Sequence, residues 1–232
     1  MAASAASLAT LPLPRSTIPY RIRRSDRAQR VRVTVGAAEG VEVVLPRRAT
    51  ARDAEAAVHE LSDWIERRLR ALEQAREEAG APPGHVPYLG DALRLTPEPG
   101  RTRVHRRGDA LLVPDANPRP ALERWYRRAA RTEIAPRVER AVAEAGLDFE
   151  RLTIRGQRTR WGSCSTTGTL SFNWRLLLAP EPVLDYVVWH EVCHLEVPDH
   201  SKRFWRLLAH HRPGYRDQER WLRRYGSTLT LP

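Results

Sequence analysis

The sequence predicts an α+β fold: a small β-rich N-terminal module with one long helix, then a domain in which a small sheet packs on a histidine-bearing helix. Three observations carry this. Residues 18–48 alternate apolar and polar in short runs, the period of strands. Residues 51–79 and 119–145 place apolar side chains at helical spacing and stop at GAPPG and at Gly146. Residues 151–180 return to strand-like runs before the segment HEVCHLEVPDHSKRFW, residues 190–205.

Taken in order, MAASAASLATLPLP opens the chain with small, mildly apolar residues and no basic residue ahead of them, so 1–17 is expected to be a disordered tail rather than a signal peptide. The runs of 18–48 are broken at SDRA and GAAEG, a strand–turn–strand pattern. Thr50 offers an N-cap with Asp53 in the capping-box position, and Val58, Leu61, Ile65, Leu69 and Leu72 then share one helical face, predicting a helix over 51–79. VPYLG leads into the strand candidates DALRL and ALLVP. These elements group into a module over 18–116, and 117–232 is expected to form the second domain. Leu122, Trp125, Tyr126 and Ile134 mark helix 119–145, with Pro136 as a kink or break and Gly146 as its stop. A hairpin around STTGT follows, then helix 182–197 with Pro182 in its first turn and Pro198 past its end. Short helices near 201–210 and 215–224 complete the chain.

Composition narrows the class. The 232 residues are 41% apolar and 29% charged, ordinary for a soluble globular protein, and no apolar run nears the about 20 residues of a spanning helix. Two cysteines, Cys164 and Cys193, are too few for a secreted disulfide framework, so a reducing cytoplasm is expected. A net charge of +11 raises nucleic acid as a partner. All but one of the 39 basic residues are Arg, however, scattered and interleaved with Glu, as a codon bias would leave them. Specific nucleic-acid binding is therefore not favoured, and an anionic small substrate suits the same charge.

The chemistry concentrates in HEVCH. Residues four apart share a helix face, so His190 and His194 aim at a common centre. A catalytic zinc takes three protein ligands and leaves one position open, and Glu191 on the flank of that face is placed to deprotonate a metal-activated water. The bland alternative is a helix that happens to carry histidines. Against it, Leu184, Val187, Val188, Trp189, Val192 and Leu195 make the helix apolar nearly all round, and so buried, where His and Glu need partners. Pro198 and Asp199 then break the helix and can return His200 over the same centre, giving one zinc ion on His190, His194 and His200 with Glu191 as base. Glu219 is the fallback third ligand. The His190–His200 spacing matches the metzincin pattern, but Val197 replaces its glycine and Met1, the only methionine, cannot supply its methionine turn.

In RTRWGSCS the aromatic Trp161, with Phe172 and Trp174 beyond it, reads as core more readily than as a substrate platform. Arg158, Arg160 and Arg175 are harder to bury without an anion, which makes them candidates for substrate binding. Cys164 and Cys193 read as small buried thiols rather than nucleophiles or ligands.

RWGSCSTTGTLSFNWRLLLAP followed by YVVWHEVCHLEVPDHSKRFW closely resembles the YgjP-like predicted metal-dependent hydrolases, relatives of the SprT-like zinc peptidases. VRVTV, VEVVLPRRAT and VPYLG extend the likeness over nearly the whole chain. The resemblance implies zinc on His190, His194 and His200, Glu191 as base, and a minimal zincin-like core. It leaves the substrate open, because both metallopeptidase and nucleotide pyrophosphatase activities are attached to the family. Three functions are therefore expected in order: a cytoplasmic zinc metallopeptidase acting on peptide or protein, a metal-dependent nucleoside triphosphate pyrophosphatase, and a nucleic-acid-associated protein with SprT-like peptidase activity. No membrane partner is expected, and the sequence leaves the oligomeric state open.

Overall fold

The computed structural model describes residues 8–12, 17–37, 39–157 and 159–232. Two compact units divide the chain, Met1–Ala79 and Gly80–Pro232.

In the first unit, β1 (Leu8–Pro12), β2 (Thr17–Arg24), β3 (Arg32–Gly36) and β4 (Gly40–Leu45) form one sheet in the order β1-β2-β4-β3. β2 and β4 run parallel and the outer pairs antiparallel. Pairing of β1 with β2 corrects the expected disordered tail over Leu8–Pro12, while residues 1–7 and 13–16 of that segment lie outside the described residues. Alternation turns Val33, Val41, Val43 and Leu45 into a core with Ala54, Val58 and Ile65. The predicted capping box is present: Asp53 N–H donates to Thr50 Oγ1 at 3.3 Å and Thr50 N–H to Asp53 Oδ2 at 2.6 Å. The helix it opens is not continuous. α1 (Ala51–Glu60) ends at Leu61, whose ψ of 11° lies outside the helical well, and α2 (Ser62–Ala79) restarts. That break turns Leu61, expected on the core face, 37% exposed.

The second unit begins at the GAPPG breaker. β5 (His85–Tyr88), β6 (Asp91–Glu98), β7 (His105–Arg107) and β8 (Ala110–Pro114) form a sheet in the order β5-β6-β8-β7. The sequence-based boundary at 116/117 separates these strands from the rest, and the structure moves it to 79/80. Val86, Leu93, Leu111 and Val113 share one core with Leu122 and Tyr126 of α3 (Arg119–Ala145). Tyr126 Oη donates to the Pro87 carbonyl, and Leu89 N–H to the Leu177 carbonyl at 2.8 Å. α3 runs unbroken through Pro136 and closes at Gly146, which adopts the left-handed φ of 65° that favours glycine.

β9 (Arg151–Arg155), β10 (Gly162–Cys164) and β11 (Thr169–Asn173) form a small sheet in the order β10-β11-β9, leaving β10 at an edge. A 3₁₀ turn over Trp174–Leu178 replaces the expected end of the second hairpin strand. α4 (Glu181–Glu196), α5 (Lys202–His211) and α6 (Tyr215–Tyr225) follow close to the predicted positions. α4 is buried along Val183, Leu184, Val187, Val188, Val192 and Cys193. Each large aliphatic chain contributes about 1.5–3 kcal/mol on burial, so the helix that carries HEVCH is held firmly. Arg137 of α3 adds a polar tie, pairing with Glu133 at 2.8 Å, with Asp185 at 3.1 Å and with Glu181 at the start of α4. No helix among the described residues is long and apolar enough to cross a membrane.

Candidate metal centre

α4 projects His190 and His194 from one face, as their spacing requires. Beyond Glu196 the chain leaves the helix at Val197 and turns back over Pro198 and Asp199. Asp199 Oδ1 accepts from Ser201 N–H at 3.2 Å, and Arg203 pairs with Glu196 across the bend at 2.7 Å. These bonds bring His200 to the other two histidines. His200 Nε2 lies 3.0 Å from His190 Nε2 and 3.2 Å from His194 Nε2, and the three ligand atoms all fall within 4.8 Å of one another.

The donor set fits zinc. Tetrahedral bonds of about 2.0–2.1 Å place two nitrogens about 3.3 Å apart, close to the spacings found. The protonation pattern agrees. His194 Nδ1 lies 3.0 Å from the Val197 carbonyl, which can only accept, so the proton sits on Nδ1 and the Nε2 lone pair faces the centre. Burial, and then the neighbouring imidazoles, push His190 down to about 3, so a proton does not readily neutralise the facing lone pairs. Phe204 stacks on His194 at 4.4 Å and Trp205 on His200 at 5.6 Å, fixing both rings from α5. His190 Nδ1 is buried and has no protein hydrogen-bond partner among the described residues.

Glu191 is 5% exposed. Burial raises its carboxyl to about 8, against the opposing charge of Arg160 and a hydrogen bond from the Cys164 N–H. A carboxyl near neutrality beside three imidazoles is suited to accepting and returning a proton.

A profile of the YgjP-like metallopeptidase domain matches residues 29–225. The chain belongs to the YgjP-like family. Over 53 residues it is 40% identical to the UTP pyrophosphatase of Escherichia coli (strain K12); that match covers 23% of this chain and 32% of the relative, so the chain spans about a third of that relative's length. Among solved structures, the metallopeptidase zymogen of Pyrococcus abyssi abylysin is 25% identical, covering 41% of this chain and 94% of that one with a TM-score of 0.36. The zymogen of Methanocaldococcus jannaschii jannalysin is 20% identical, covering 37% and 89%, with a TM-score of 0.34.

In this YgjP-like chain the remaining expected site residues are placed unevenly. Arg160 is exposed and its charge acts on Glu191. Trp161 is half-buried against the core and against Gly226, in line with the core reading. The Arg175 guanidinium covers the Trp174 ring at 4.5 Å, and Arg158 lies outside the described residues. Glu219 is absent from the histidine cluster and pairs instead with Arg223 at 3.1 Å, so the fallback ligand is set aside. Cys164 and Cys193 are free, and burial pushes their thiols up to about 11 and about 12, which leaves them poor nucleophiles.

Two residues that position the site had no local signal. Asn173 is 2% exposed, and its side-chain amide donates to the carbonyls of Gln157 at 2.7 Å and Arg160 at 3.2 Å, holding the loop that carries Arg160. Gly162 lies directly under the Glu191 side chain: a Cβ there would meet Glu191 Cγ at 2.6 Å and Cδ at 2.7 Å, and would also strike Oε1. Gly162→Ala is therefore expected to displace the carboxylate and lower turnover by about a hundredfold, with zinc content unchanged and a stability cost of about 1–3 kcal/mol. Metal analysis alongside steady-state kinetics checks this; a fully active variant would mean that Glu191 can shift without penalty.

Proposed function

We propose that the chain is a zinc-dependent metallopeptidase holding one zinc on His190, His194 and His200 and cleaving a peptide laid along the free edge of β10. The observation that carries this reading is the state of that edge. Asn173 N–H donates to the Trp161 carbonyl and Ser165 N–H to the Thr169 carbonyl, so Trp161, Ser163 and Ser165 are the residues that bond toward β11. Gly162 and Cys164 alternate with them and turn their backbone polar groups outward. The Cys164 N–H is taken by Glu191; among the described residues the Gly162 N–H, the Gly162 carbonyl and the Cys164 carbonyl have no backbone partner, which leaves them for an added strand.

Bound zinc supplies a positive centre that polarises a scissile carbonyl and acidifies water. Glu191 accepts the proton of the attacking water and returns it to the departing amine. Gly162 leaves the carboxylate room against the strand, and the Cys164 N–H orients it. Arg160 favours its charged form. Asn173 keeps that arginine near by holding its backbone.

Hydrolysis of a nucleoside triphosphate is the second reading. The partial likeness to the Escherichia coli UTP pyrophosphatase and the net charge of +11 favour it. Three imidazole donors suit zinc better than the oxygen-rich magnesium sites of phosphoryl transfer, which favours the peptidase. Zinc-loaded protein assayed side by side on a peptide library and on nucleoside triphosphates, with Glu191→Gln as the blank, separates them. Peptide cleavage that vanishes in the blank is expected; triphosphate cleavage with intact peptides would overturn the peptidase reading.

A further inference from the structure

A groove of about 640 Å³ opens between α5 and α6, lined by Lys202, Trp205, Arg206, Tyr215, Arg216 and Glu219. It adjoins the histidine cluster through Trp205, which stacks on His200 at 5.6 Å. Lys202 and Arg206 lie one helical turn apart and share a face of α5, while Arg216 comes from α6. All three are exposed, and neither Lys202 nor Arg206 forms an ion pair among the described residues. Glu219 is the one carboxylate in the lining, and it is already hydrogen-bonded to Arg223 at 3.1 Å. The groove therefore holds an excess of positive charge beside the metal centre.

Its aromatic walls are not free to grip a flat ligand. Trp205 stacks with both His200 and Tyr215, the latter at 5.6 Å and 18°. Tyr215 stacks in turn with Tyr186 at 6.4 Å and 13°. The stacking partners of the column are protein rings, so a nucleobase or an aromatic side chain gains little there, and the cations are what the groove offers.

The geometry points to an anion subsite in this groove, where Lys202, Arg206 and Arg216 bind a phosphate or carboxylate group of the substrate. That the anion belongs to the substrate rests on the hydrolase reading; that the groove binds anions does not. Glu219 opposes the three cations and sets how tightly the anion is held.

The test is calorimetric titration of the full-length, zinc-loaded protein with inorganic phosphate and, separately, with N-acetylglutamate. Any direct binding of either probe to zinc is common to all variants. Arg206→Gln/Arg216→Gln is expected to weaken at least one probe by at least about tenfold, and Glu219→Gln to tighten the same probe. Selective loss of phosphate binding identifies a phosphate as the natural anion, and selective loss of N-acetylglutamate binding identifies an acidic peptide group. Equal affinities in wild type and the double variant, or no binding of either probe by wild type, would overturn the subsite. Because the readout needs no turnover, zinc-loaded wild type that cleaved neither peptides nor nucleoside triphosphates would sink the hydrolase reading and leave the groove standing.

Discussion

Glu191→Gln is expected to lose at least about a thousandfold in kcat while binding zinc as tightly as wild type, and to gain stability in its metal-free form. The loss follows from the chemistry: an amide cannot accept the proton of the attacking water, and proton transfer by a positioned base is worth about 10²–10⁴-fold. The metal should stay because the proposed ligands are the three converging Nε2 nitrogens, and the carboxylate is not among them. The gain comes from linkage. Burial holds the folded-state carboxyl at about 8, above its ordinary value near 4.5. Below the ordinary value both states carry the proton and folding is not penalised. As pH rises toward 8 the unfolded chain ionises while the fold resists, so stability is progressively lost across that window. Glutamine does not ionise, and chemical denaturation of metal-free protein at pH 7.5 should find it up to about 4 kcal/mol more stable than wild type. His190 acts at the other end: with its folded value near 3, stability rises with pH up to the ordinary imidazole range. Wild-type turnover by the variant would remove Glu191 from the reaction, and unchanged stability would mean that its burial is relieved by water.

A residue that destabilises its own fold yet sits in a well-packed helix is the signature that made this site readable from sequence. HEVCH lies in a segment apolar nearly all round, and a helix of that kind has no surface on which to hide two histidines and a glutamate. The break at Pro198 and the return of His200 were legible for the same reason, because proline and the aspartate before His200 act locally. Helix 119–145 and its glycine stop, the capping box at Thr50 and the hairpin around STTGT also rest on local rules.

What escaped the sequence is what depends on residues distant in the chain. Nothing near Gly162 says that a glutamate one helix later needs the space of its missing Cβ; GSC reads only as a short strand. Asn173 in LSFNW looks like a strand residue, and only the fold brings the carbonyls of Gln157 and Arg160 to its amide. Arg137 resembles any other arginine in a chain crowded with them until α4 presents Glu181 and Asp185 to it. The division at 79/80 was missed because β5–β8 have the strand patterning of the first unit, while their apolar faces pack with α3. Leu61 shows the limit of periodicity itself: apolar spacing continued through a position where the helix does not.

His194→Ala is expected to weaken zinc binding by at least about a thousandfold and to abolish hydrolysis with it. Perturbing groups that merely orient metal ligands costs about 10–100-fold in affinity, and removing a ligand whose tautomer the Val197 carbonyl already fixes should cost more. Two nitrogens cannot close a tetrahedral site, and the ring is also the surface on which Phe204 stacks, so part of the support for the returning chain goes with it. The measurement that isolates the metal is thermal unfolding with and without zinc. At a zinc level about a hundredfold above its dissociation constant, wild type gains about 2.7 kcal/mol over its metal-free form. His194→Ala at the same zinc level should gain almost nothing, so the two proteins differ far more with metal than without it. If the packing against Phe204 were the whole role of His194, both would lose or keep stability equally in either condition. Stoichiometric zinc binding by His194→Ala at wild-type affinity would refute the three-histidine centre.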